Sequence, residues 1–226
     1  MYNYTISEDG ITKDLEVTYC EKDLGVFIDP LLDFEEHITS TVKKARRLSG
    51  LIIRTITFKS KDIMIPLFKS IIRPVLEYAN VVWSPYYRKH IDQIESIQRH
   101  FPRCVIGMKD LDYEERMRAL KLPSLEYRRL RGDLIETYKI THNLYDPLTT
   151  NSLLTLSLTN TRSHNYKLAK PRFNTKKFQN FYSNRIINKW NNLPGKVVNA
   201  KSLNCFKTYI DAHFKDYMYG LNFNVD

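Results

Sequence analysis

Apolar residues recur at three- and four-residue steps through most of this chain, a phase that predicts a mainly helical protein. The clearest run is DFEEHITSTVKKARRLSGLIIRTI, in which Phe34, Ile38, Val42, Ala45, Leu48, Ile52 and Ile56 share one helical face. Asp33 and Glu36 at its start have the spacing of a capping box. A second run, SKDIMIPLFKSIIRPVLEYANVVW, opens at Ser60 and carries a stripe of Ile63, Leu67, Ile71, Val75, Tyr78 and Val82. Pro74 lies deep inside it and predicts a kink or break, because proline lacks the amide hydrogen and crowds the preceding turn. After a loop at Trp83 and SPYY, a third helix starts at Arg88 and buries Ile91, Ile94, Ile97, Phe101 and Cys104, with Pro102 and Gly107 blunting its end. A short helix from Tyr113 to Leu120 comes next. Ser124 then caps a longer one, whose Leu130, Leu134, Tyr138 and Leu144 face inward.

The first residues read differently. Tyr2 to Ile6, Leu15 to Cys20 and Leu24 to Ile28 cluster or alternate strand formers, with turn chemistry at Asp9 and Gly10, so a small antiparallel hairpin unit is expected before Pro30. Gly25 inside the third strand signals a bulge, a close approach of backbone to something else, or a plain bend. Asp146 to Asn160 is rich in Asn, Thr, Ser and Leu behind Pro147. The expected organisation is therefore a β unit at 1–32, a helical domain at 33–146, a linker at 147–161, and a smaller basic helical domain at 162–226. The last contains an extended start, a helical segment in KKFQNFYSNRIINKWNNLP, and another from Ser202 to Tyr219 with Leu203, Phe206, Ile210, Phe214 and Met218 inward.

Charge adds a binding surface to this fold. The chain carries a formal net charge of +10 over 226 residues, with a pI near 9.4. Residues 1–36 hold ten Asp or Glu against two Lys or Arg, which leaves 33 basic and 15 acidic groups for the rest. Such asymmetry points to a polyanion, either nucleic acid or an anionic membrane surface. From His37 to Lys61 there are seven Lys or Arg and no acid, with Lys43, Lys44, Arg46, Arg47 and Arg54 opposite the apolar stripe. Arg128, Arg129 and Arg131 form a second cluster, and Tyr166 to Arg185 a third. Basic side chains that meet phosphates release counterions and read no base sequence. KKARR by itself fits a solvated face or a localisation signal equally well.

Several chemistries find no support. No C-x-x-C, G-x-G-x-x-G, Walker pattern or Tyr-x-Asp-Asp occurs, so short-spaced zinc, phosphate-cradling loops and a polymerase metal pair lack their motifs. The six histidines are isolated, which suits surface or packing roles. Cys20, Cys104 and Cys205 sit in apolar patterns, as buried free thiols of a reducing compartment do. No run approaches the ~18 consecutive apolar residues of a spanning helix.

Five blocks are more specific. EKDLGVFIDPLLDFEEHITSTVKKARRLSGLIIRTI, LFKSIIRPVLEYANVVWSPY, IDQIESIQRHFPRCVIGM, YEERMRALKLPSLEYRRLRGDLIETYKI, and NFYSNRIINKWNNLPGKVV with CFKTYID resemble, in order and spacing, the C-terminal part of the reverse transcriptase of LINE-type non-LTR retrotransposons. The resemblance covers about residues 14 to 215. It implies that Lys22, Leu24 and Gly25 match a primer-grip hairpin, that Lys43, Lys44, Arg46, Arg47 and Arg54 lie on the first thumb helix, and that Arg128, Arg129, Arg131, Arg185 and Trp190 fall in later blocks. Trp190 also reads as a core anchor, and Asp133 as a structural partner of Arg129. The family's fingers, palm and metal-binding aspartates would precede residue 1. The chain is then a truncated element, a fragmentary gene model, or a descendant retained for something other than copying. The resemblance thus implies a holder of template and primer duplex that does not synthesise, needs no cofactor, and acts inside the cell, in the nucleus. The missing polymerase part is a further partner in trans. The alternative is a helical protein-interaction module docking through the Trp83, Tyr86 and Tyr87 loop or the C-terminal aromatics.

Overall fold

A computed structural model describes residues 5–8, 11–15, 17–146, 152–157 and 164–220. The chain is mainly helical, as its periodicity predicts, and among the described residues strands are confined to its start. Two separate antiparallel hairpins form there: β1 (Thr5–Glu8) pairs with β2 (Ile11–Asp14), and β3 (Glu21–Asp23) with β4 (Val26–Ile28). Residues 2–4 of the first expected strand lie outside the described residues. Gly25 is not in a strand. Leu24 (φ 44°) and Gly25 (φ 87°) make the tight turn joining β3 to β4, where left-handed backbone matches the strand twist. A Cβ on Gly25 would come within 3.3 Å of the Tyr78 ring, whose hydroxyl donates to the Leu24 carbonyl at 2.8 Å. The close approach is therefore to this chain's own tyrosine.

Helix α1 (Glu35–Thr55) buries Ile38, Val42, Ala45 and Ile52, with Phe34, Leu48 and Ile56 packed at the edge of the same core. Its start differs from the expected capping box: Phe34 occupies the cap position in the left-handed region, and the Asp33 carboxylate accepts the Glu35 N–H at 3.2 Å. Asp29 takes the N–H groups of Leu31 and Phe34, so the turn before the helix is satisfied from one residue further back. A capping box does form at Asp112 and Glu115, at the start of the helix Tyr113–Leu120.

Pro74 breaks its run as expected. Helix α2 (Lys61–Leu67) widens into a π-helical turn at Phe68–Ile72 before α3 (Arg73–Glu77), because proline at position 74 supplies no N–H for the preceding turn. The buried stripe is offset from the expected one. Met64, Phe68, Ile72 and Leu76 are inside, whereas Ile63, Ile71, Tyr78 and Val82 are exposed. Two apolar series one residue apart share this run, and the one bearing Phe68 and Met64 fills more volume. Helices α4 (Asn80–Trp83), α5 (Arg88–His100) with its 3-10 end at Phe101–Cys104, α6 (Tyr113–Leu120) and α7 (Leu125–Thr141) follow. Beyond them come α8 (Lys176–Asn180), α9 (Tyr182–Arg185), α10 (Ile187–Asn191), α11 (Gly195–Val198) and α12 (Leu203–His213).

Two cores result. The first joins β4, α1, the α2–α3 run, α5 and α6. The second is built on Trp190, Phe206, Ile210 and Phe214, together with Tyr127, Leu134 and Tyr138 of α7. The two cores meet at α7, which turns Tyr127, Leu134 and Tyr138 to the C-terminal helices. Most of 147–161 lies outside the described residues. The cysteines also depart from expectation: Cys20 and Cys205 are exposed and Cys104 is half-buried, all with free thiols.

Candidate nucleic-acid interface

The basic side of α1 is where the sequence places it. Lys43, Lys44, Arg46, Arg47 and Arg54 are all exposed, and no carboxylate among the described residues lies within ion-pair reach of any of them. At ~1.5 Å per residue they extend over roughly 16 Å of helix, long enough to face several backbone phosphates. The helix is sorted along its length. Glu35 and Glu36 occupy its first turn, where the macrodipole favours them, and Lys89 of α5 holds Glu35 at 3.1 Å. That hydrogen bond and charge keep the Glu35 carboxyl below its ordinary range. Acid therefore stays at one end and base along the rest.

Three grooves adjoin along this side. One of about 540 Å³ is lined by Lys44, Arg46, Arg47, Gly50 and Arg54. It shares Arg46 and Gly50 with a second of about 380 Å³ that reaches Ser96 and His100 of α5. Ser96 and His100 also line a third, of about 340 Å³, with Arg99, Arg103 and Arg116. Arg46 spans the step from α1 to α5 by donating to the Ser96 hydroxyl at 3.2 Å. Sequence reasoning missed the α5 contribution. Arg99, His100 and Arg103 stand at i, i+1 and i+4, off the Ile94 and Ile97 stripe, and that offset is the signal that could have found them.

The other expected contacts are not brought to this surface. Arg128 pairs with Glu77, one of its contacts being Nη2 to Oε2 at 2.8 Å. Arg131 grips Asp211 through two hydrogen bonds of 2.6 and 2.8 Å. Arg185 grips Asp133 at 2.9 and 3.0 Å and donates to the Val81 carbonyl at 2.7 Å. Arg129 is 4% exposed and sits among Glu95, Glu126, Asp133 and Glu77, with burial, its strongest influence, lowering its pKa. Each carboxylate is positioned by packing, and an arginine beside a buried acid is held by it. Asp133 is structural as expected, but its hydrogen-bonded partner is Arg185. Burial pushes its carboxyl up, and Arg185 opposes the push.

Lys22 is exposed on β3 with its ammonium over the Phe27 ring at 5.4 Å, and Gly25 lies in the neighbouring turn. This hairpin meets α1 near His37, whose Nδ1 accepts the Phe27 N–H at 3.3 Å. Burial first, and Lys22 second, hold the His37 pKa low. Neither Lys22 nor Gly25 lines the grooves. In the loop expected at Trp83 and SPYY, Trp83 is fully buried, its Nε1 donates to the Tyr78 carbonyl, and its ring lies 4.9 Å from that of His37, whereas Tyr86 is half-buried and Tyr87 exposed. Trp190 is likewise fully buried, anchored through Nε1 to the Tyr166 carbonyl at 2.7 Å.

Among the described residues no group of three or more His, Cys, Asp or Glu is placed to hold a metal ion, and no helix is long and apolar enough to cross a membrane. No protein-family model and no solved structure matches the chain. A similar protein is an uncharacterized protein of Caenorhabditis elegans, 23% identical over 125 residues, which are 54% of this chain and 61% of that protein's length.

Proposed function

We propose that this chain holds a nucleic-acid duplex by its backbone, as a thumb-like body resembling the C-terminal part of a LINE-type reverse transcriptase, and that its work is in the nucleus. The observation that carries the reading is the row of five exposed cations on α1 that no carboxylate among the described residues neutralises, whereas Arg128, Arg131 and Arg185 are each paired internally. An uncompensated basic ridge beside open grooves is suited to phosphates and blind to base sequence. The hairpin bearing Lys22 and Gly25 is the primer-grip counterpart in this reading. These 226 residues contain no Tyr-x-Asp-Asp, so synthesis needs carboxylates from another polypeptide stretch.

Fluorescence anisotropy with an RNA–DNA hybrid tests this. With four or five phosphate contacts, affinity should fall by about two to three orders of magnitude between ~50 and ~200 mM salt. Changing Lys43, Lys44, Arg46 and Arg47 together to Ala should flatten the log–log salt slope by ~3 to 4. Absence of binding at low salt, or an unchanged slope in the variant, overturns the reading. Primer extension by the chain alone should be blank.

A further inference from the structure

The groove between the end of α5 and α6 has a feature that the α1 ridge lacks: a buried arginine without an ion-paired carboxylate. Arg116 is 4% exposed. Its guanidinium is fixed by backbone, Nε donating to the Met108 carbonyl at 2.8 Å and Nη2 to that of Leu111. No carboxylate lies within ion-pair reach of it among the described residues. Asp112, the acid whose charge acts most on it, is engaged by the Glu115 N–H in the capping box. Burial and then the like charge of Arg103 lower the Arg116 pKa, and both residues line one open space.

That space, about 340 Å³, is lined by Ser96, Arg99, His100, Arg103, Tyr113 and Arg116, four of them basic and none acidic. Arg99 is partly compensated by Asp92 at 3.1 Å. Beneath the floor lies Glu95, whose carboxylate accepts the Tyr113 hydroxyl hydrogen and the Leu125 N–H, and whose burial raises its own pKa. It makes no ion pair with the basic lining residues. A buried charge is expensive unless something balances it. Here the protein fixes the fork, places a second arginine and a histidine beside it, and leaves the counter-charge out.

We propose that this groove is a phosphoryl-oxyanion site, with Arg116 as its preorganised anchor, Arg103 as the second cation, and His100 as a further donor. Planar guanidiniums suit a tetrahedral oxyanion because each offers parallel N–H groups. The site goes beyond the duplex-holding reading and does not depend on it, since the ligand is defined by its phosphate alone. Its opening onto Ser96 and His100 joins the α1 grooves, so either a free phosphoryl compound or a backbone phosphate has access.

Titration of the full chain with pyrophosphate, followed by the NMR signals of the His100 ring, tests it. A saturable shift is expected, weakened at least ~10-fold in Arg103→Glu, since one charge-assisted contact is removed and a repulsion added. The variant Lys43/Lys44/Arg47→Ala should keep the shift. A shift that never saturates, that sodium chloride of equal ionic strength reproduces, or that Arg103→Glu leaves unchanged overturns the proposal. Arg116 itself is left alone, because it ties two carbonyls and its loss would disturb the fold. An added RNA–DNA hybrid separates the sources: displacement of pyrophosphate identifies a backbone phosphate as the occupant, and simultaneous binding identifies a free phosphoryl group. Pyrophosphate binding without any hybrid binding would sustain this site while removing the duplex reading.

Discussion

Helices α1 and α7 carry arginine clusters that look alike in one dimension, KKARR and RRLR, yet they end in opposite circumstances. On α1 the charges point to water with no acid across from them. On α7 two of the three arginines meet an acid supplied by another element, Glu77 from α3 for Arg128 and Asp211 from α12 for Arg131, while Arg129 is buried with no hydrogen-bond partner on its Nη atoms among the described residues. Local sequence sets the charge of a helix face, but its use depends on which acids the fold delivers to it. A guanidinium already gripped by two carboxylate hydrogen bonds has little left for a phosphate, whereas an ammonium held only by water can exchange that water for one.

The contrast between the two helices is most vulnerable at Arg185. Replacing it by Met leaves Asp133 charged, buried and without its fork, which should cost about 3 to 5 kcal/mol and lower the melting temperature by roughly 6 °C or more in a calorimetric scan. An equally small loss from Arg185→Met and from an α1 substitution would mean that paired and unpaired arginines do not differ here.

A smaller effect is expected at Asp211. Burial, the largest single influence, raises its pKa, but hydrogen bonds from Arg131 and Tyr127 and the charges of Arg131 and Arg128 together outweigh it, and the folded-state value lies below the ordinary one. Stability from this group is thus fully present above about pH 4, the unfolded value, and is lost as pH falls through the lower folded value. Asp211→Asn should cost about 1 kcal/mol at neutral pH and flatten the acid limb of a stability profile measured by urea unfolding. On the α1 side, the four-residue alanine variant should shift the melting temperature by only a degree or two, each exposed substitution falling within about 0.5 kcal/mol. A collapse there would place those side chains in the wrong environment. Gly25→Ala should cost about 1 kcal/mol in urea unfolding, as much as Asp211→Asn, because alanine must adopt positive φ beside the Tyr78 ring.

Much of the fold is legible from the periodicity alone. The α1 stripe, the span of α6, the Ser124 cap and the break near Pro74 come from spacing and from the chemistry of single residues. What is not legible depends on partners distant in sequence. Asp133 has Arg129 four residues away, but the fold brings Arg185 from 52 residues further on, and no local rule selects between them. The phase of the α2–α3 stripe is hidden for a related reason, since two neighbouring apolar series satisfy the same period and only core volume decides. In the candidate interface, the α1 half is given by a charge count. The α5 half needs the crossing that sets Ser96 against Arg46.

Helix α7 gives Leu125 to one core and Tyr127, Leu134 and Tyr138 to the other. A polypeptide ended after residue 146 would present those aromatic rings to solvent as a sticky ridge, and one begun there would lack a wall of its own interior. Expression of either half should therefore yield aggregate, and heating the intact chain should give a single cooperative transition.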